Sequence, residues 1–183
     1  MRFFSRKPRP TQADQQLRQQ AESLVFSAHA LAVSSYTAAA EREPLIERFR
    51  PRDWDFFLTI AGVFIAASEL NQSGVSETTK EGLMAIVARD LAQWNGDAIR
   101  GFEDCKAFFE RTHDRLVVSS AYGDDQRFLA SDAVGYWIAW NLLGHAPAQD
   151  DELKLVRMAG ELVRHGFASW WKACLLYTSP SPR

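Results

Sequence analysis

The sequence predicts an all-α fold, a single-domain bundle of about six helices. Three observations predict it. Apolar residues recur at steps of three and four along almost the whole chain. Breaks in that pattern fall at proline, glycine and asparagine positions that start or stop helices. No stretch alternates apolar and polar residues as a half-buried strand would, and Leu116 to Ser120 is the only β-branched cluster.

The first helix is expected to follow Pro8 and Pro10, with Thr11 and Asp14 forming a capping-box-like start. Its stripe runs Leu17, Ala21, Leu24, Ala28, Leu31, Ser35 and Ala38. It is expected to end near Arg42, because Pro44 cannot continue a helix and disfavours helical geometry at Glu43. Its middle, Leu24 to Val33, is apolar nearly all round and is expected to be deeply packed. A short helical turn over Leu45 to Phe49 precedes Pro51. The second helix is expected to start near Asp53 as a cap and to end around Asn71. It carries Trp54, Phe57, Ile60, Ala61, Phe64, Ile65 and Ala67, the expected centre of the core.

Ser73-Gly74 is a turn, and Ser76 or Thr78 caps a third helix whose inner face is Leu83, Val87, Leu91 and Trp94. Asn95-Gly96-Asp97 breaks the chain before a fourth helix with Ile99, Phe102, Cys105, Phe109 and Leu116. After Gly123-Asp124-Asp125, a fifth helix carries Phe128, Leu129, Val134, Trp137, Ile138 and Leu142. Gly144 and Pro147 end it. Asp150, Asp151 and Glu152 then place negative charge at the start of a sixth helix. Leu155, Ala159 and Leu162 line that helix, flanked by Val156, Val163 and Phe167.

The chain divides into three parts. Residues 1–10 form a basic, flexible lead. Residues 11–173 form the helical domain. Residues 174–183, Cys174 to Arg183, resemble the translation of a transposase-type sequencing adapter and are read as a non-native tail. On that reading the domain is truncated at its C-terminal end, beside Trp170 and Trp171. Leu175, Leu176 and Tyr177 would extend the sixth helix by accident, with Pro180 ending it.

Composition narrows the function. With 46% apolar and 24% charged residues, the chain is globular rather than disordered. A net charge of −2, one step more negative without Arg183, argues against a protein that coats nucleic acid. Apart from the tail only Cys105 remains, so no internal disulfide forms; a reducing, cytoplasmic location is expected. The longest apolar run, Phe56 to Ala67, spans about 18 Å as a helix, against a bilayer core of about 30 Å. It is read as a buried helix, and no transmembrane span is expected.

Several residues are candidates for chemistry or contact. Phe3 and Phe4 stand among Arg2, Arg6, Lys7 and Arg9, a pattern that suits a peripheral membrane or partner contact. A second basic cluster, Arg48, Arg50 and Arg52, lies roughly 45 Å away if the first helix is continuous, too far to make one nucleic-acid groove. Glu110 and His113 are an i, i+3 pair such as helical metal sites use, and Glu69 is the best additional carboxylate. The bland reading of that pair is a surface ion-pair region with Arg111, Asp114 and Arg115.

His29, His113-Asp114 and Asp132 stand in the order of HD-type phosphohydrolase ligands, but their spacing is not that family's, so no role follows. His145 suits a helix C-terminus, and His165 pairs with Glu161 at helical spacing. Asp132 and Asn141 are expected at a wet face or a helix contact. Cys105 reads as a buried, inert thiol. Trp137 and Trp140 hint at a ligand pocket but read as core at helical spacing. No phosphate loop, nucleophile elbow or Cys-x-x-Cys is present. The expected role is a non-enzymatic interaction or regulatory protein, with no cofactor implied. The alternatives are a metal-dependent helical enzyme using Glu110, His113 and Glu69, and a peripheral membrane protein acting through its N-terminus.

Overall fold

The computed structural model describes residues 12–120 and 130–168. Among them are six α-helices and no strand: α1 (Gln12–Arg42), α2 (Pro51–Gln72), α3 (Glu77–Trp94), α4 (Ala98–Ser120), α5 (Ala130–Leu143) and α6 (Asp150–Val163). A 3₁₀ turn, Pro44–Arg48, links α1 to α2, and a π-helical turn, Arg164–Ala168, follows α6. The all-α bundle expected from periodicity is therefore what forms. The N-terminal lead, Thr11, the Gly123-Asp124-Asp125 break, Phe128, Leu129, Trp170, Trp171 and the tail lie outside the described residues.

The second helix is the axis of the bundle. From Leu58 to Ala67 it is buried all the way round, packed against α1, α4, α5 and the turn after α6. Each fully buried Leu, Ile or Phe there contributes about 1.5–3 kcal/mol of apolar burial. Thr59 is the polar exception in this stretch, and its hydroxyl donates to the Asp55 carbonyl at 2.6 Å. The helix begins at Pro51, earlier than the expected Asp53 cap, because proline at the first helical position has no N–H to leave unsatisfied. Asp53 instead accepts two bonds from Arg50, at 2.7 and 3.0 Å.

Helix α1 packs on α2 and α3 with one face only. Leu17, Ala21, Leu24, Ala28 and Ser35 are buried as expected, but Ala32 and Ala39 join that line in place of Leu31 and Ala38. Leu31 is half-buried and Ala38 exposed. A strict alternation of threes and fours averages 3.5 residues, so on a straight helix it drifts by about 20° per heptad. The expectation that Leu24 to Val33 would be packed all round is not met: Phe26 is 75% exposed and Val33 50%. Apolar composition alone does not bury a face that no neighbouring element reaches among the described residues. Where α1 meets α2, the fully buried Trp54 indole donates to Ser35 Oγ at 3.2 Å. Nearby, the Tyr36 hydroxyl donates to the Phe49 carbonyl at 3.1 Å.

Ser76, rather than Thr78, caps α3, its side chain accepting from the Thr79 N–H at 3.3 Å. Lys80 ties that end back to α2, donating to the Asn71 carbonyl at 2.9 Å. Leu83, Val87 and Leu91 are buried, and Trp94 is half-buried against Phe56, its ring stacked at 5.9 Å. On α4, Phe102 and Cys105 are buried, while Ile99 is exposed rather than inward-facing.

Helices α5 and α6 cross closely. A Cβ on Gly135 would collide with the Val156 carbonyl and lie 2.8 Å from Gly160 N, so only a glycine on α5 permits this approach. Helix α5 ends at Gly144, whose φ of 76° is a left-handed stop. Glu152 anchors the start of α6: its carboxylate accepts from the Ala148 and Gln149 N–H groups at 2.8 and 3.0 Å. Those two bonds hold its carboxyl below the usual glutamate range.

Candidate functional site: a groove along α4

Two clefts meet along the outer side of α4. The first, about 720 Å³, takes Arg52, Asp53, Phe56 and Phe57 from α2, then Asn95, Asp97, Arg100, Gly101 and Asp104 from α4 and its lead-in. Trp137 and Asn141 of α5 close it. The second, about 660 Å³, lies between Phe108, Arg111 and Thr112 of α4 and Trp140 of α5. Asp104, Trp137 and Asn141 line both, so the two are one continuous groove. From Arg100 to Thr112, α4 carries it for about 18 Å.

Helical periodicity builds one wall. Arg100, Asp104, Phe108 and Arg111 are spaced by four, four and three residues, so they share a face of α4. Gly101 lets the Phe56 ring lie against α4; a Cβ there would sit 3.1 Å from that ring. The floor is Trp137, buried, whose indole N–H donates to Asp104 Oδ2 at 2.9 Å. Asn141, half-buried in the groove wall, donates back to the Trp137 carbonyl one turn earlier on α5, at 2.8 Å.

The far end of the groove is aromatic. Phe108 stacks with Tyr136 at 6.1 Å, and Trp140 meets both rings edge-on at 6.0 and 6.1 Å. Trp137 is core, as its spacing suggests, but Trp140 is 43% exposed. The α4–α5 crossing leaves its outer edge uncovered among the described residues.

The charges in the groove are unequally satisfied. Asp53 is held by Arg50, and Asp104 by the Trp137 indole. Arg52 reaches Asp53 only at 3.8 Å. Among the described residues Arg100 and Arg111 have no carboxylate partner, and neither the Asp97 nor the Asp104 carboxylate has a cation.

A second polar feature lies half-buried where α1 meets α2. Among the described residues, neither His29 Nδ1 nor Asp55 Oδ1, both shielded from solvent, has a hydrogen-bond partner. Burial pushes the Asp55 carboxyl above the usual aspartate range, and the nearby His29 partly offsets this. The His29 ring also packs against Trp94 at 5.3 Å.

The residues singled out from sequence are scattered by comparison. Glu110 is exposed on α4, Glu69 is half-buried near the end of α2 with an interaction of its own, and the His113 side chain lies outside the described residues. Among the described residues no three His, Cys, Asp or Glu side chains assemble to hold a metal ion. Arg2, Phe3, Phe4, Arg6, Lys7 and Arg9 also lie outside them. Cys105 is fully buried, and burial with Asp104 beside it pushes its thiol well above the usual cysteine range. His145 approaches Glu152 at 3.5 Å, and His165 contacts Arg164 at 3.0 Å. Sequence reasoning missed the Arg100, Asp104, Phe108 and Arg111 face. Its four-four-three spacing was visible, but nothing in it marked that face as lining a groove.

The fold and site together define a class, an all-α bundle with a mixed aromatic and charged groove. No protein-family model, no curated protein and no solved structure matches this chain. No helix among the described residues is long and apolar enough to cross a membrane.

Proposed function

We propose that this chain is a non-enzymatic interaction protein and that the groove along α4 holds a segment of a partner polypeptide. One observation carries the reading. An exposed tryptophan, set among Phe108 and Tyr136, lies in the same groove as arginines that lack partners among the described residues. Tryptophan, tyrosine and arginine are the residues that dominate binding energy at protein interfaces. The length of the groove supports a chain rather than a metabolite: about 18 Å accommodates roughly five extended residues at about 3.3 Å each.

Selection from a random peptide library displayed on phage tests this. The expected result is enrichment of peptides that bind the parent protein and lose about tenfold or more in affinity on Trp140→Ala, a truncation worth about 1.4 kcal/mol or more. Circular dichroism of the variant checks that the bundle is intact. Peptides that bind Trp140→Ala as well as the parent, or no enrichment at all, would overturn the reading.

A further inference from the structure

We infer that His29 and Asp55 act together as a proton-operated link between the α1–α2 contact and the wall of the groove. A proton taken up by the pair closes a hydrogen bond across the two helices and shifts the rings that lead to Phe56. The consequence for binding rests on the interaction role proposed above; the link itself does not.

Two stranded atoms carry the first step. His29 Nδ1 and Asp55 Oδ1 are shielded from solvent and make no hydrogen bond among the described residues. Shielded polar atoms in folded proteins are nearly always bonded, so two on neighbouring helices call for a physical account. A carboxylate only accepts, and so does an imidazole nitrogen that carries no hydrogen. A proton from water on either atom supplies the missing donor. Nδ1–H then bonds Oδ1, or the carboxyl O–H bonds Nδ1, and no other bond forms or breaks. Burial supports uptake, because it disfavours the charged form of Asp55 and holds its carboxyl above the usual aspartate range, with His29 as the charge that offsets this. The charged groups on the surrounding elements are engaged elsewhere. Glu22 on α1 pairs with Arg18 at 3.3 Å, Arg50 and Arg52 both approach Asp53 beside α2, and Arg89 on α3 holds Asp90 at 2.7 Å. Asp97 and Arg100 lie beyond Phe56, in the cleft.

A row of rings carries the change outward. The His29 ring packs on Trp94, the last residue of α3, at 5.3 Å and 54°. Trp94 lies nearly parallel to Phe56, at 5.9 Å and 15°. Phe56 follows Asp55 directly on α2 and lines the groove. Its ring is so close to α4 that a Cβ on Gly101 would sit 3.1 Å away. Turning the imidazole toward Asp55 alters its contact with Trp94, and close-packed rings transmit such a displacement rather than absorb it. Trp94 also leads directly into Asn95, which lines the groove with Asp97. Histidine is the side chain suited to changing charge near neutrality, so the groove wall follows pH through this pair.

Nuclear magnetic resonance of the full chain, labelled with ¹³C and ¹⁵N, tests the link over a pH series from about 8 to about 5. The signals read are the His29 imidazole, the Asp55 carboxyl carbon, the Trp94 indole N–H and the Gly101 amide. The expected result is one midpoint shared by all four, because the first proton taken up belongs to the pair. Asp55→Asn and His29→Gln should each abolish the shift at Trp94 and Gly101, with helicity by circular dichroism unchanged. Asp97→Asn should retain it, which separates the link from titration of the acid nearest Gly101 in sequence. Should either pair variant unfold, the shared midpoint in the parent and in Asp97→Asn decides. The absence of a shared transition in that range, a Trp94 signal that stays still while His29 titrates, or a Gly101 shift that survives Asp55→Asn would overturn the link. None of these readouts uses a ligand, so the library selection and this pH series can fail independently.

Discussion

At the residue scale, two buried polar arrangements behave differently. The Trp54 indole is satisfied by Ser35, whose hydroxyl in turn donates to the Ala32 carbonyl at 2.9 Å. Ser35→Ala strands a buried N–H, and thermal or urea unfolding should show a loss of about 1–3 kcal/mol. Asp55 is the opposite case, with a buried oxygen that has no hydrogen-bond partner among the described residues. Its folded pKa is raised, so its contribution favours folding below the ordinary aspartate range and is lost as pH rises through the folded value. Relative to the parent, Asp55→Asn should therefore be more stable at neutral pH, and the difference should shrink as pH falls through the raised folded value to the ordinary aspartate range. A constant difference across a pH series of urea titrations would contradict that account. His29 was legible in the sequence only as one histidine among several. Its neighbour Asp55 was invisible, because pairing across helices depends on the α1–α2 packing register.

At the element scale, the helices and their ends were largely readable. Pro44, Pro51, Ser76 and Gly144 each act as local backbone chemistry dictates, without help from distant residues. What could not be read was which apolar faces find neighbours. Phe26 and Val33 on α1 look as buriable as Leu24, yet α2 and α3 approach from one side only. Trp140 fails the core expectation for the same reason. Gly135 is the sharpest element-level test. It sits against the Val156 carbonyl and Gly160, and no side-chain rotation relieves a clash with backbone. Gly135→Ala should cost about 1–3 kcal/mol by overpacking, despite alanine's better helix propensity. Gly82→Ala on α3, where a Cβ meets nothing within 4 Å, should instead be neutral or stabilising. Chemical denaturation of the two variants side by side separates these outcomes.

At the scale of the whole molecule, one buried helix organises the rest. Around α2, the packing of α4 and α5 leaves a groove whose residues come from three separate stretches of sequence. That is why the site was not legible in advance: helix periodicity places Arg100, Asp104, Phe108 and Arg111 on one face, but only packing sets Trp140 opposite them. The metal pair suggested by Glu110 and His113 came from a local motif, which sequence displays far more readily than a cleft between helices. The most direct test of the central claim is amide and indole chemical-shift mapping of the ¹⁵N-labelled protein titrated with a peptide enriched in the library selection. The predicted result is perturbation concentrated at the Trp137 and Trp140 indole N–H signals and along α4 from Arg100 to Thr112. Shifts confined to Phe26, Val33 and the outer face of α1, or no saturable shift anywhere, would contradict it.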